Sequence, residues 1–317
     1  MTMALRPVVF GALIFVVLAA AAPALPAWLV SLTTLAFANG LVVLGLIILW
    51  RAGLVPFGQA LFYAIGAYVV ALIGRYSGMH DVFVLIPAAA ILAALAAFLT
   101  GLLLARYREI FFAMLSLAMS MILYGVLVKT ETLGSTDGFH VEAPTYLGYA
   151  PQGAMHLLLL FWLVLAASAA SAFLVFLYFR SVAGALAAPV RDNEIRLEFL
   201  GISVNRLIHL NLVISGTLGG IGGAFAALSI GHVDPNMAYW TTSGGFVFVT
   251  ILAGAGSVAA AFVGSFVFEL LKSIAYDILP GTWQIFLGSV LLVIILFVPD
   301  GLGSLFARFR QQPRAAS

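Results

Sequence analysis

Long apolar segments follow one another along this chain, parted only by short polar breaks. A membrane span needs about 20 such residues, and ten crossing segments can be marked, one of them much shorter than that. They are residues 1–22, 31–50, 53–74, 82–104, 110–128, 154–179, 207–230, 246–252, 258–275 and 283–298. The first carries Arg6 ahead of its apolar run and reads as a membrane helix rather than a cleaved leader, because further spans follow at once. Pro23 and Pro26 end it, and Trp28 suits a membrane–water interface. The third reads GLVPFGQALFYAIGAYVVALIG, with Pro56, Gly58 and Gly66 interrupting an apolar helix. Broken helices at membrane depth are tolerated where they line a cavity or are covered by protein. The seventh carries Gly216, Gly219, Gly220, Gly222 and Gly223, small faces on which helices approach closely. The eighth is short and runs into Ala253-Gly254-Ala255-Gly256-Ser257. The expected fold is an all-α polytopic membrane protein of about ten crossings, some of them short or broken.

Composition agrees with the pattern. Of 317 residues, 64% are hydrophobic and 8% charged, and the mean hydropathy is +1.17. Soluble domains are about 45–50% apolar, so one core cannot hide these side chains and lipid must solvate them. Residues 1–317 form one transmembrane domain, with an outer loop at 131–153 and a charged loop at 180–206. Having no cysteine, the chain has no disulfide framework and no thiolate metal site. The five histidines show no paired ligand spacing, so no metal is expected. A net charge of +2 is too small to imply nucleic acid.

Where the charges fall matters more than their sum. Counting spans from a cytoplasmic N-terminus puts Arg6, Arg51, Arg106, Arg108, Arg180, Arg191, Arg196, Arg206, Arg308, Arg310 and Arg314 on one side. Only Arg75, Lys129 and Lys272 fall on the other. Eleven against three is a strong positive-inside bias, with both termini cytoplasmic. In that orientation residues 58–66 and 245–254, both Gly-bounded and Phe-rich, run in opposite directions. They read as an inverted pair of broken helices meeting near the midplane.

The charged loop holds the most pointed local signal. Arg191-Asp192-Asn193-Glu194-Ile195-Arg196-Leu197-Glu198-Phe199-Leu200-Gly201 sits between two apolar spans. Asp192 or Asn193 can cap a short helix, and Gly201 suits its stop. Charges would lie on one side, with Ile195, Phe199 and Leu200 on the other. That is a docking surface for something soluble.

RDNEIRLEFLGI resembles the cytoplasmic coupling motif of the permease subunits of branched-chain amino acid ABC importers, of the LivM type. Further stretches are similar to that family: 57–68 (FGQALFYAIGAY), 109–118 (EIFFAMLSLA), 134–139 (GSTDGF), 231–235 (GHVDP), 253–257 (AGAGS) and 299–302 (PDGL). Val55, Pro56 and Gln59 stand near places where the family carries Ser and His, which implies a less polar route. The resemblance implies a non-enzymatic subunit in a bacterial inner membrane, forming a path for branched-chain or related amino acids. It implies a second homologous permease subunit of the LivH type, two ATP-binding subunits and an extracytoplasmic substrate-binding protein. The chain itself would bind no cofactor, since ATP is bound by those partners. Arg191, Asp192, Asn193, Glu194, Ile195, Arg196, Phe199, Leu200 and Gly201 would couple it to the ATPase. Relatives in such a family also carry urea, amides and small aromatic acids.

Candidate path residues are Asn39, Gln59, Phe62, Gly66, Phe246, Gly254 and Gly256. For Asn39 and Gln59 the alternative is ordinary interhelical hydrogen bonding. Glu269 and Lys272, three apart near a span end, read as a mutual ion pair and an interface anchor. A stand-alone ion-coupled carrier would need a carboxylate within a span; Glu269 is the one candidate, and the charged loop would then be unexplained. No P-loop, Gly-x-Ser-x-Gly or His-Glu-x-x-His pattern supports an enzyme.

Overall fold

The computed structural model describes residues 15–297 apart from 152, 255–256 and 279–280. Helices dominate. A short apolar helix, α1 (Phe15–Ala24), stops just before Pro26, which is the N-cap of the next helix. Then come α2 (Ala27–Arg51), α3 (Gln59–Ser77), α4 (Val82–Leu104), α5 (Glu109–Lys129) and α6 (Ala154–Arg180). Two short helices, α7 (Val182–Ala185) and α8 (Ala187–Phe199), lead to α9 (Val204–Ile230). The chain closes with α10 (Trp240–Ala253), α11 (Val258–Ile278) and α12 (Trp283–Phe297). Among the described residues seven helices are long and apolar enough to cross a membrane, against about ten expected. The remaining three expected spans hold the shorter apolar helices α1, α10 and α12. Both termini, Arg6 and Arg308–Arg314 lie outside the described residues.

The core is α2 and α9, antiparallel and packed along much of their length, with α3, α4, α6 and α11 around them. Glycine permits this. A Cβ on Gly222 would sit 2.6 Å from the Ala38 carbonyl oxygen, and one on Gly45 2.8 Å from that of Ser215. Where apolar side chains gain little by leaving lipid, such close backbone approach supplies the packing. The buried stripe of α4 meets α9 for the same reason: Ala89, Ala93 and Ala97 face Gly216 and Gly220, and Gly101 faces the His209 ring. By contrast α5 keeps only Phe112, Ser116, Ser120 and Leu127 buried.

The two ends of the bundle differ. At one, the C-terminal turns of α2 and α4 and the first turn of α9 close over α8 in a buried cluster that includes Leu49, Leu104, Val190, Leu197 and Val204. Arg51, Arg106, Arg108, Arg180, Arg191, Arg196 and Arg206 gather at this end. At the other, β1 (Phe139–His140) pairs antiparallel with β2 (His232–Val233), tying the 131–153 loop to the end of α9. Arg75 lies over the Phe139 ring there, 4.7 Å from its centroid.

The third span is interrupted at Pro56 and Gly58, as its sequence indicates, but not at Gly66. Gly53 turns the chain with φ +76, and residues 54–58 stay irregular before α3 begins at Gln59. From there the helix is continuous through Gly66, which is a packing position and not a break. A Cβ on Gly66 would lie 1.9 Å from the Gly220 carbonyl oxygen.

Candidate functional site

Two places bring chemistry together, one at the arginine-rich end and one in the middle of the bundle.

At the arginine-rich end, α8 is two helices joined at Asn193, whose backbone is extended at φ −164, ψ 94. The Asn193 side chain accepts the Arg196 N–H at 3.0 Å, so Asn193 caps the two turns that follow. Gly201, at φ +81, donates its N–H to the Glu198 carbonyl and stops the helix. Leu197 is buried against the start of α9 and holds this short helix down. The residues around it point away. Ile195 is 63% exposed, Phe199 87% and Leu200 71%. With Asn193 and Arg196 they line one shallow open concavity. Three large apolar side chains so exposed on a helix carrying Asp192, Arg196 and Glu198 make a surface that water solvates poorly.

The charged residues of this stretch do different jobs. Arg191 packs its Cγ over Gly53, where any side chain would crowd it. Asp192 is exposed. Glu194 turns inward, and its Oε2 accepts from Arg108 Nε at 2.7 Å. Arg108 also donates to Asn205 Oδ1 at 2.8 Å. Arg51 sits over the Phe179 ring, 4.0 Å from its centroid.

In the middle of the bundle, the starts of α3 and α10 meet. The Ala60 N–H donates to Ser243 Oγ at 2.9 Å, and the Tyr63 and Phe246 rings meet edge to face at 5.0 Å. The chain reaches this depth by folding back at both places. Phe57 donates its N–H to Ser116 Oγ, seven residues into α5 and so about 10 Å from its start. Ser120 Oγ donates to the Ala238 carbonyl at 2.8 Å, holding the 3-10 turn Pro235–Ala238 against the same helix.

Beside that meeting point, α2, α10, α11 and α12 enclose a half-open cavity of about 340 Å³. Phe246, Phe248, Val249, Phe268 and Leu287 supply apolar wall. The polar wall includes Asn39, Ser265, Glu269 and Lys272, with Tyr63, Thr241, Thr242 and Gln284 around them. Asn39 donates Nδ2 to Glu269 Oε1 at 2.9 Å. Lys272 Nζ stands 3.7 Å from Glu269 Oε2. Asn39 Oδ1 and Ser265 Oγ are buried with no hydrogen-bond partner.

The seven path candidates separate. Asn39 and Phe246 line the cavity. Gln59 is fully buried and donates to the Ser215 carbonyl at 3.0 Å, an interhelical bond outside the cavity. Phe62 fills the groove at Gly216 and Gly219, and Gly66 packs on Gly220. Gly254 ends α10 at φ +77, and Gly256 lies outside the described residues. Ser265 and Tyr63 also line the cavity, and a lone Ser or Tyr in a span carries no signal in the sequence. Among the described residues no three His, Asp or Glu side chains converge in a metal-binding group.

A family model described as branched-chain amino acid transport system / permease component matches residues 28–296. The chain is 26% identical over 288 residues to the high-affinity branched-chain amino acid transport system permease protein LivM of Escherichia coli, spanning 82% of this chain and 67% of that one. The same identity and coverage hold for LivM of Salmonella typhimurium. It is 27% identical over 182 residues to the autoinducer 2 import system permease protein LsrC of Klebsiella pneumoniae, spanning 54% of this chain and 48% of that one. No solved structure matches the chain.

Proposed function

This chain belongs to the family of permease components of branched-chain amino acid transport systems, and from that premise we propose that it forms the translocation path for branched-chain or related amino acids in an ABC importer of the bacterial inner membrane. Two separate ATP-binding subunits drive it and bind the ATP, so the chain needs no cofactor of its own. A second homologous permease subunit and an extracytoplasmic substrate-binding protein complete the assembly. The arginine-rich end faces the cytoplasm, in keeping with the positive-inside rule.

The observation that most supports this reading is the exposure of Ile195, Phe199 and Leu200 on the Asn193-capped helix. A helix held down by Leu197, with its larger apolar residues turned outward, fits insertion into a groove on a soluble subunit. Buried aromatic and aliphatic anchors dominate such contacts, at about 2 kcal/mol or more each. The test is co-purification of the whole complex carrying Ile195→Asp together with Phe199→Asp. The double variant is expected to lose the ATP-binding subunit while the permease stays folded. Normal assembly and uptake with both changes would overturn the reading.

A further inference from the structure

Building on the permease reading, we propose that the cavity among α2, α10, α11 and α12 is a site for a zwitterionic α-amino acid, with Glu269 taking the ammonium and Lys272 the carboxylate. The two charges lie in the same cavity and form the ion pair their spacing predicts, but a loose one. Their 3.7 Å separation is well beyond the 2.7 Å of Arg108 and Glu194 in the same chain, and beyond a tight charge-assisted bond of about 2.7–2.9 Å. Glu269 is buried while Lys272 is half-exposed. A carboxylate at membrane depth marks a functional position unless a partner fully satisfies it. Here Asn39 holds one oxygen and leaves the other facing Lys272.

The unpartnered atoms supply the rest of the match. Asn39 Oδ1 is an acceptor beside the Glu269 carboxylate, and Ser265 Oγ carries a hydroxyl one helical turn before it. Buried polar atoms without partners are uncommon and costly. Two acceptors (Glu269, Asn39) and two donors (Lys272, Ser265) complement one ammonium and one carboxylate. Phe246, Val249, Phe268 and Leu287 then face the aliphatic or aromatic side chain. The volume of about 340 Å³ falls within the small-molecule range of roughly 300–1,000 Å³. Asn39 is twelve residues from either end of α2, so the site lies about 18 Å from each end of that helix, where transporters bind their solutes. Urea or a simple amide would leave both charges uncompensated by a ligand. A monocarboxylate would meet Glu269 as a like charge.

The experiment is uptake of radiolabelled leucine by the whole transporter in cells, with 4-methylpentanoate, 3-methylbutylamine and isobutyramide as competitors. Leucine has both charges, each of the first two competitors has one, and the amide has none. Wild type is expected to be inhibited by other neutral α-amino acids and by none of the three. Glu269→Gln and Lys272→Gln are each expected to raise the leucine KM roughly tenfold or more, with the complex still assembled. In case either change disturbs folding, Gly245→Leu provides a second line. Gly245 lines the cavity, and a Cβ there meets nothing within 4 Å, so the new side chain has an open start into it. It is expected to exclude leucine and spare alanine. Wild-type leucine KM in all three variants overturns the site. Inhibition of the wild type by 4-methylpentanoate or isobutyramide as strongly as by valine overturns the zwitterion and leaves the permease reading standing. Absence of any ATP-dependent uptake with the ATP-binding subunits present overturns both.

Discussion

Arg108 and Glu194, 86 residues apart in the chain, meet through a 2.7 Å bond from Nε to Oε2. The same guanidinium donates to Asn205 Oδ1 and to the carbonyls of Ala105 and Tyr107. One side chain thus braces the helix after Asn193 against both the α4–α5 turn and the start of α9. In the importer proposed above, a partner that displaced that helix would pull on the α4–α5 turn and on the start of α9 through this one guanidinium.

The first prediction separates holding from coupling. Glu194 faces its own chain, so Glu194→Ala is expected to keep the ATP-binding subunit bound but to uncouple ATP hydrolysis from uptake. Both partners are partly exposed, at 25% and 38%, so solvent screening keeps the stability cost below about 1 kcal/mol. Arg108→Ala should give the same phenotype, and the double variant should be no worse than either. The measurement is ATP hydrolysed per solute imported. Loss of the ATP-binding subunit from Glu194→Ala alone would show that Glu194 contacts the partner instead.

The second concerns sidedness. Arg191 and Asp137 lie at opposite ends of the bundle, and the chain has no cysteine. Single cysteines at the two positions should react with an impermeant thiol reagent from opposite faces of the membrane, 191 from the cytoplasm and 137 from outside. Labelling of both from one face would contradict the bundle's two-ended arrangement.

Helix positions were legible because apolar length alone sets them: 82–104 was marked to the residue, and α5 and α6 to within one residue at each end. The start of α10 was not. Trp240 to Gly245 is rich in Thr, Ser and Gly and reads as loop, but Ser243 is buried because its hydroxyl serves α3. Gly66 was legible as unusual and misread as a break, since a glycine that bends a helix and one that admits a neighbouring backbone look alike in sequence. The Glu269–Lys272 pair was visible through its spacing. Its bond to Asn39 spans 230 residues, and no local pattern reports such a meeting. The local structure of residues 191–201 was the most legible part, because the Asn193 cap and the Gly201 stop lie close together in the chain; the inward turn of Glu194 needed the fold.

The third prediction tests that reassignment of Gly66. Gly66→Ala puts a methyl 1.9 Å from the Gly220 carbonyl oxygen, and overpacking of this kind costs about 1–3 kcal/mol or more. Folded yield and the thermal midpoint in detergent should both fall. Gly125→Ala on α5, where a Cβ meets nothing within 4 Å, should be neutral or stabilising by up to about 1 kcal/mol. Equal behaviour of the two variants would remove the close approach of α3 to α9.

The last prediction concerns how α3 is started. Its N-cap is Gly58, which has no side chain to offer the unpaired N–H groups of the first turn. Ser243, 183 residues away on α10, accepts the Ala60 N–H at 2.9 Å. One helix is therefore capped by another, and a buried hydroxyl joins the two fold-backs beside the Tyr63–Phe246 ring contact. Ser243→Ala leaves that N–H buried and unmet, at about 1–3 kcal/mol. Thr250→Val on the same helix is the matched control. Thr250 is as buried, but its hydroxyl bonds only the Phe246 carbonyl of its own helix, so its loss should cost about 1 kcal/mol or less. Hydrogen exchange at Ala60 should speed up in Ser243→Ala alone, and uptake should fall with it while the ATP-binding subunit stays bound. If Ala60 remains as protected in Ser243→Ala as in the wild type, α10 does not hold the start of α3, and the two segments move independently.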